Sequence, residues 1–103
     1  MSLPRQGEVW WAQATDKRRP VLVVTRSDVI GLLDGIVVAP VTKAVRGIPT
    51  EIPLGDDEGL AVVCAASFDN LQRIRRAALT ARLGDLGGRR GEICDALKAL
   101  SDC

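Results

Sequence analysis

The sequence has no histidine and no tyrosine, and of its 103 residues only Trp10, Trp11 and Phe68 are aromatic. Without histidine, the usual general acid–base side chain and the commonest transition-metal ligand are missing. With so few aromatics the core has to be aliphatic, built from Val, Leu, Ile and Ala. The three cysteines, Cys64, Cys94 and Cys103, are odd in number and lack C-x-x-C spacing, so neither a disulfide framework nor a zinc site is indicated. Cys64 and Cys94 read as small buried hydrophobes and Cys103 as an exposed terminal thiol. No apolar run approaches the roughly 18 residues needed to span a membrane, and Met1 to Gly7 lacks the apolar stretch of a signal peptide. A cytoplasmic protein is expected. Gly84 to Gly91 has no Lys-[Ser/Thr] ending and so is no phosphate loop. Asp56-Asp57-Glu58, adjacent acids at a Gly-flanked turn, read as a solvated hairpin tip in preference to a magnesium site. No metal and no cofactor are expected.

What is present suits one folded domain over residues 1–103: hydrophobic residues make up 47% of the chain, an ordinary globular content. The net charge of +1 hides an uneven distribution. From Lys17 to Arg46 six cations face two anions, and from Arg73 to Arg90 six cations face Asp85 alone. Either stretch would serve a polyanionic ligand, and either would serve equally as a solvated basic face.

The periodicity is mainly that of strands. Gly7 to Ala12 follows a turn signal and is rich in β-favouring residues. Gln13 to Arg18 is a polar loop. Val21-Leu22-Val23-Val24, opened by Pro20, is a short continuous apolar run expected as the central strand, buried on both faces. Ser27 is placed to cap a short helical turn through Leu32, and Asp34-Gly35 is a turn dipeptide before a third strand, Ile36 to Val41. Ile48 to Leu54 alternates and carries two prolines, which puts it at a sheet edge. Leu60 to Phe68 reads as one long buried strand, and the register of Leu71 to Arg76 is left open by its alternation. Leu79 to Leu83 suits a last strand. Ile93, Ala96, Leu97 and Leu100 then fall at i, i+3, i+4 and i+7, the stripe of an amphipathic helix packed across the sheet. Five or six strands and this helix predict a mainly β (β-rich α+β) fold, a partly closed barrel with a C-terminal α-helix.

Polar groups gather at strand ends and loops: Arg19, Thr42, Lys43, Arg46, Asp69, Asn70 and Gln72. Rigid sheets commonly present functional groups there, although each one alone is equally a surface side chain. Three segments go further. Gly7-Glu8-Val9-Trp10, then Arg18-Arg19-Pro20-Val21-Leu22-Val23-Val24, then Val38-Ala39-Pro40-Val41-Thr42 resemble successive motifs of the MazF/PemK family of toxin endoribonucleases, in order and spacing. Ser67 to Ile74 is similar to that family's later strand and loop, and Leu83-Gly84-Asp85-Leu86 to its usual ending. Two departures stand out: the Gln13 to Arg18 loop is short, and Asn70 stands where many members have glutamine.

The resemblance implies an SH3-like barrel of the CcdB/PemK type, a homodimer, and sequence-specific, metal-independent cleavage of single-stranded RNA. It also implies a cognate MazE-like antitoxin whose tail blocks the dimer groove. Its catalytic arginine and threonine map onto Arg19 and Thr42, with Lys17, Arg18, Lys43, Arg46, Asp69, Asn70 and Gln72 as RNA-binding candidates. The chemistry is coherent, because RNA brings its own nucleophile in the 2′-OH and cutting there leaves a 5′-hydroxyl end. A guanidinium can bind two phosphoryl oxygens at once and a hydroxyl adds a third hydrogen bond, with no metal required. An ordinary arginine, with a pKa above about 12, stays charged at neutral pH, so Arg19 suits charge stabilisation better than proton abstraction. Apolar residues on the edge strand, Ile52 and Leu54, are the expected dimer contacts. Two other readings stand beside this one. A CcdB-like toxin would bind gyrase without catalysis but depends on a Trp-Gly-Ile ending, where this chain reads Leu100-Ser101-Asp102-Cys103. An inactive antitoxin-binding module would not need an intact Arg19 and Thr42.

Overall fold

The computed structural model describes residues 3–13 and 17–101. Seven strands form one curled sheet: β1 (Glu8–Gln13), β2 (Arg18–Val23), β3 (Gly35–Thr42), β4 (Glu51–Leu54), β5 (Cys64–Ser67), β6 (Gln72–Arg75) and β7 (Leu79–Asp85). Their order is β4-β5-β3-β2-β1-β7, with β6 pairing β3 off that path. A single helical turn, α1 (Ser27–Ile30), links β2 to β3, and α2 (Gly91–Ser101) ends the described chain. Among the described residues no helix is long and apolar enough to cross a membrane.

Strand β3 holds the barrel together. Its first half, Gly35 to Val38, pairs with β6, and its last two residues, Val41 and Thr42, pair with β5. Its middle pairs with β2 through Val21↔Pro40, Leu22↔Ala39 and Val23↔Val38. A strand with three partners must turn from one layer into the other, and Pro40, which has no N–H to leave unpaired, sits where that happens. The hub is therefore β3, although β2 is buried on both faces as its apolar run predicts. Leu22 joins Val9, Phe68, Ile52 and Leu54 in one core cluster, while Val21 and Val23 join Trp10, Ile36 and Val38 in a second. Two register shifts between β1 and β7 bend the pair and help curl the sheet.

Several expectations change. Ile52 and Leu54 are not an exposed edge but core residues, so they offer nothing to a second copy. The Leu60 to Phe68 run is strand only from Cys64, because Leu60 plugs into the core and Ala61 to Val63 pass over the surface. The preceding edge strand starts at Glu51 rather than Ile48, where the Glu51 carboxylate turns back onto the loop before it. Ser27 does not cap α1; its hydroxyl oxygen accepts the Gln6 backbone N–H instead. Glu58 is no solvated tip but only 5% exposed, accepting the Gly55 N–H and pairing with Arg89 at 3.1 Å. Cys94 is exposed, on the outer face of α2, while Cys64 is buried as expected; Cys103 lies outside the described residues. Helix α2 does cover the sheet. Ile93 and Ala96 enter the first core cluster and Leu97 packs at its margin, but Leu100 stays exposed.

Candidate nucleic-acid interface

The ends of β2 and β3 and the start of β6 open into a groove of about 970 Å³. Arg19 and Thr42 both line it: Arg19 stands near the start of β2, opposite Ala12, and Thr42 closes β3 two residues past Pro40, the last β3 residue paired with β2.

Thr42 Oγ1 accepts the Ala44 backbone N–H at 3.0 Å. This fixes the hydroxyl oxygen and leaves its proton available to donate into the groove. Arg18, Lys43, Asn70 and Gln72 line the same groove. Asn70 is steered by donating from Nδ2 to Ser67 Oγ at 2.9 Å, and Gln72 is placed by its pairing with Val38. Three cations, Arg18, Arg19 and Lys43, line the groove, and none of its described lining residues is acidic. The described lining thus sets positive charge beside neutral hydrogen-bonding groups, on a surface that is largely apolar.

Three residues grouped with these in the sequence stand apart from the groove lining: Lys17, Arg46 and Asp69. Lys17 is exposed beside it. Arg46 pairs with Glu51 at 3.2 Å and with Asp69 at 3.6 Å, and Asp69 accepts the Thr50 hydroxyl at 2.7 Å. Glu51 also accepts the backbone N–H groups of Arg46 and Gly47, at 2.8 and 3.1 Å. Burial alone would raise the Glu51 carboxyl, but the hydrogen bonds from Arg46 and Gly47 outweigh it and hold the group below the usual carboxylate range. Arg46 and Asp69 thus brace the loop that follows Thr42.

Three arginines of the second basic stretch are likewise spent on structure. Arg82 pairs with Glu8 and Asp85, Arg89 with Glu58 and Glu92, and Arg76 donates to the carbonyls of Ile30 and Leu33. Charge counting could not separate these arginines from the groove's, because Glu8 and Glu58 reach them from far off in the chain, although Asp85 and Glu92 lie only three residues away.

Sequence reasoning missed Trp11, Ser67 and Cys64 as groove residues. Trp11 could have been found from the hairpin itself: it opposes Pro20 and is the diagonal neighbour of Arg18. Cys64 is no nucleophile, since burial, and secondarily the charge of Glu58, raises its thiol pKa and its Sγ donates to the Leu54 carbonyl. Among the described residues no three His, Cys, Asp or Glu side chains converge as a metal site would need.

A half-barrel with a basic groove at the mouth of its central strands, its described lining free of carboxylates, has the form of a polyanion-binding β-barrel. Residues 5–100 match the family described as PemK-like, MazF-like toxin of type II toxin-antitoxin system, and the chain belongs to that family. It is similar to a probable endoribonuclease, MazF5, of Mycobacterium tuberculosis, with 38% identity covering 99% of this chain and 96% of the relative. Its fold is similar to the M. tuberculosis toxin MazF-mt6, with a TM-score of 0.84 and 35% identity over 92% of this chain and 96% of the other. It also resembles a MazE–MazF structure from Deinococcus radiodurans, with a TM-score of 0.76 and 25% identity over 97% and 96% of the two chains.

Proposed function

We propose that the protein is the toxin of a type II toxin–antitoxin pair, a sequence-specific, metal-independent endoribonuclease that cuts single-stranded RNA in the cytoplasm, with one domain spanning residues 1–103. The observation that carries this reading is the groove's charge, Arg18, Arg19 and Lys43 with no acid among the described lining residues, set around the oriented hydroxyl of Thr42. Membership of the toxin family and likeness to proteins named endoribonucleases support it. They favour it over gyrase binding and over an inactive module.

In the reaction, the 2′-oxygen forms a bond to the adjacent phosphorus as the P–O5′ bond breaks. The 2′ proton is lost, the 5′ oxygen gains one, and the products are a cyclic phosphate and a 5′-hydroxyl end. Negative charge grows on the non-bridging oxygens, which is where a bidentate guanidinium from Arg19 and the Thr42 hydroxyl act. Lys43 holds a neighbouring phosphate, while the amides of Asn70 and Gln72 suit base edges. Arg46 and Asp69 act on the substrate only through the loop they brace.

The cognate antitoxin, MazE-like, silences the enzyme by filling this groove, and the toxin works as a homodimer. With Ile52 and Leu54 buried, Val62 and Val63 are among the exposed apolar residues available to a second copy, alongside Leu3, Leu32, Leu33, Val45 and Leu100. Light scattering should then give twice the monomer mass of 11.0 kDa; a monomer at micromolar concentration overturns the dimer. For the activity, a long single-stranded RNA is incubated with the protein in EDTA and the fragment ends are sequenced. Cuts at one short motif with 5′-hydroxyl ends are expected, and cutting that vanishes with EDTA refutes the reading.

A further inference from the structure

Of the three aromatic residues, Trp10 and Phe68 are buried in the core, whereas Trp11 is half-buried and lines the groove. The Arg18 guanidinium carbon lies 4.4 Å from the centroid of the Trp11 ring. That contact follows from the β1–β2 register. Trp11 opposes Pro20, so Arg18, two residues back on β2, is its diagonal neighbour on the same face. Arg19 lies one register step from Trp11, opposite Ala12. Alternation turns Arg19 to the other face of this ladder, but at the strand ends the indole, the proline ring and both arginines line one groove.

We infer that Trp11 and Arg18 form a base clip, in which the nucleobase next to the phosphate held by Arg19 and Thr42 is sandwiched between the indole and the guanidinium. The inference rests on the reading of the groove as an RNA site and assigns its apolar part. An exposed cation–π contact is weak beside base–aromatic stacking, so the guanidinium yields the indole face to an arriving base and covers the base's other side. Every base has a π-face, so the clip holds a base without choosing its identity. That division leaves selection to the amides across the groove. Pro20 keeps the floor beside the indole rigid and, lacking an N–H, free of a competing backbone donor.

The test separates the clip from the cleavage reaction. Trp11→Ala should raise KM for RNA about 5- to 150-fold, the range expected for losing one stacked base, with kcat nearly unchanged. Trp11→Phe should restore KM, which a merely structural role would not predict if both variants melt like wild type. In parallel, a fully 2′-O-methylated strand, which cannot be cut, is titrated while tryptophan fluorescence is followed. Wild-type emission should be quenched, and Trp11→Phe should lose the quench while still binding. An abasic nucleotide moved along that strand should weaken wild-type binding at one position and leave Trp11→Ala indifferent. Equal sensitivity of both proteins to the abasic site, or an unchanged KM in Trp11→Ala, overturns the clip. If the strand binds and quenches but no RNA is ever cut, the proposed activity falls and the clip stands; if Arg19→Ala is inactive and Trp11→Ala is normal, the reverse holds.

Discussion

Replacing Arg19 by alanine distinguishes a functional side chain from a structural one more sharply than any other single change. Arg19 is exposed, its ladder partner is the small Ala12, and among the described residues it makes no ion pair. Removing it should therefore change stability by no more than about 0.5 kcal/mol, or about 2–4 °C in Tm for a chain of this size. The cost should fall on the transition state. A preorganised donor aimed at developing negative charge is worth about 2.7–4 kcal/mol, a loss of roughly 10²–10³ in kcat. Arg19→Lys keeps the charge and loses the fork, so it should recover part of that loss and not all of it. The assay is single-turnover cleavage of a labelled RNA, run beside thermal melts of the three proteins. Near wild-type cutting by Arg19→Ala would refute the phosphate clamp, and a collapse of Tm would show that Arg19 holds the fold.

Other changes probe the frame around that residue. Thr42→Val removes both the acceptor for the Ala44 N–H and the donor to the phosphate, and should cost kcat about as much as losing one such donor, ~10² or more; Thr42→Ser should keep most activity. Glu51 has its carboxyl held below the usual carboxylate range, so it stabilises the fold fully above that range and loses its contribution as pH falls through the lowered value. Urea midpoints measured from neutral to acid pH should therefore drop for wild type and flatten for Glu51→Gln, and a wild-type curve no steeper than the variant's would contradict the assignment. A Cβ on Gly84 would drive into the Glu58 carbonyl, whereas one on Gly88 meets nothing within 4 Å. Gly84→Ala should thus lose about 1–3 kcal/mol in a chemical denaturation curve, and Gly88→Ala should match wild type.

Much of the architecture was legible because it is local. The apolar run of β2, the Asp34-Gly35 turn and the i, i+3, i+4, i+7 stripe of α2 each obey a period that one stretch of chain reveals by itself. The errors share one cause, which is that burial depends on partners far off in sequence. Val62 and Val63 look like core strand and lie on the surface, while Glu58 looks solvated and is buried against Arg89 from the other end of the chain. The same holds for the site. Arg19, Thr42, Lys43 and the Asn70–Gln72 pair were identifiable from their places at strand ends and from the family's motifs, and they share the groove. Arg46 and Asp69 were singled out beside them but are engaged with Glu51 and Thr50.

By itself, the order of residues determined the strand-rich class, the terminal helix, the lack of histidine chemistry and the arginine and threonine at the strand ends. These are properties of composition and of short-range period. Only the tertiary structure decided which arginines remain available to a ligand. The charge of a guanidinium is written in the chain, but its neutralisation depends on whether the fold brings a carboxylate to it. Folding supplies Arg46, Arg82 and Arg89 with such partners and leaves Arg18 and Arg19, with Lys43, around a groove whose described lining holds no acid.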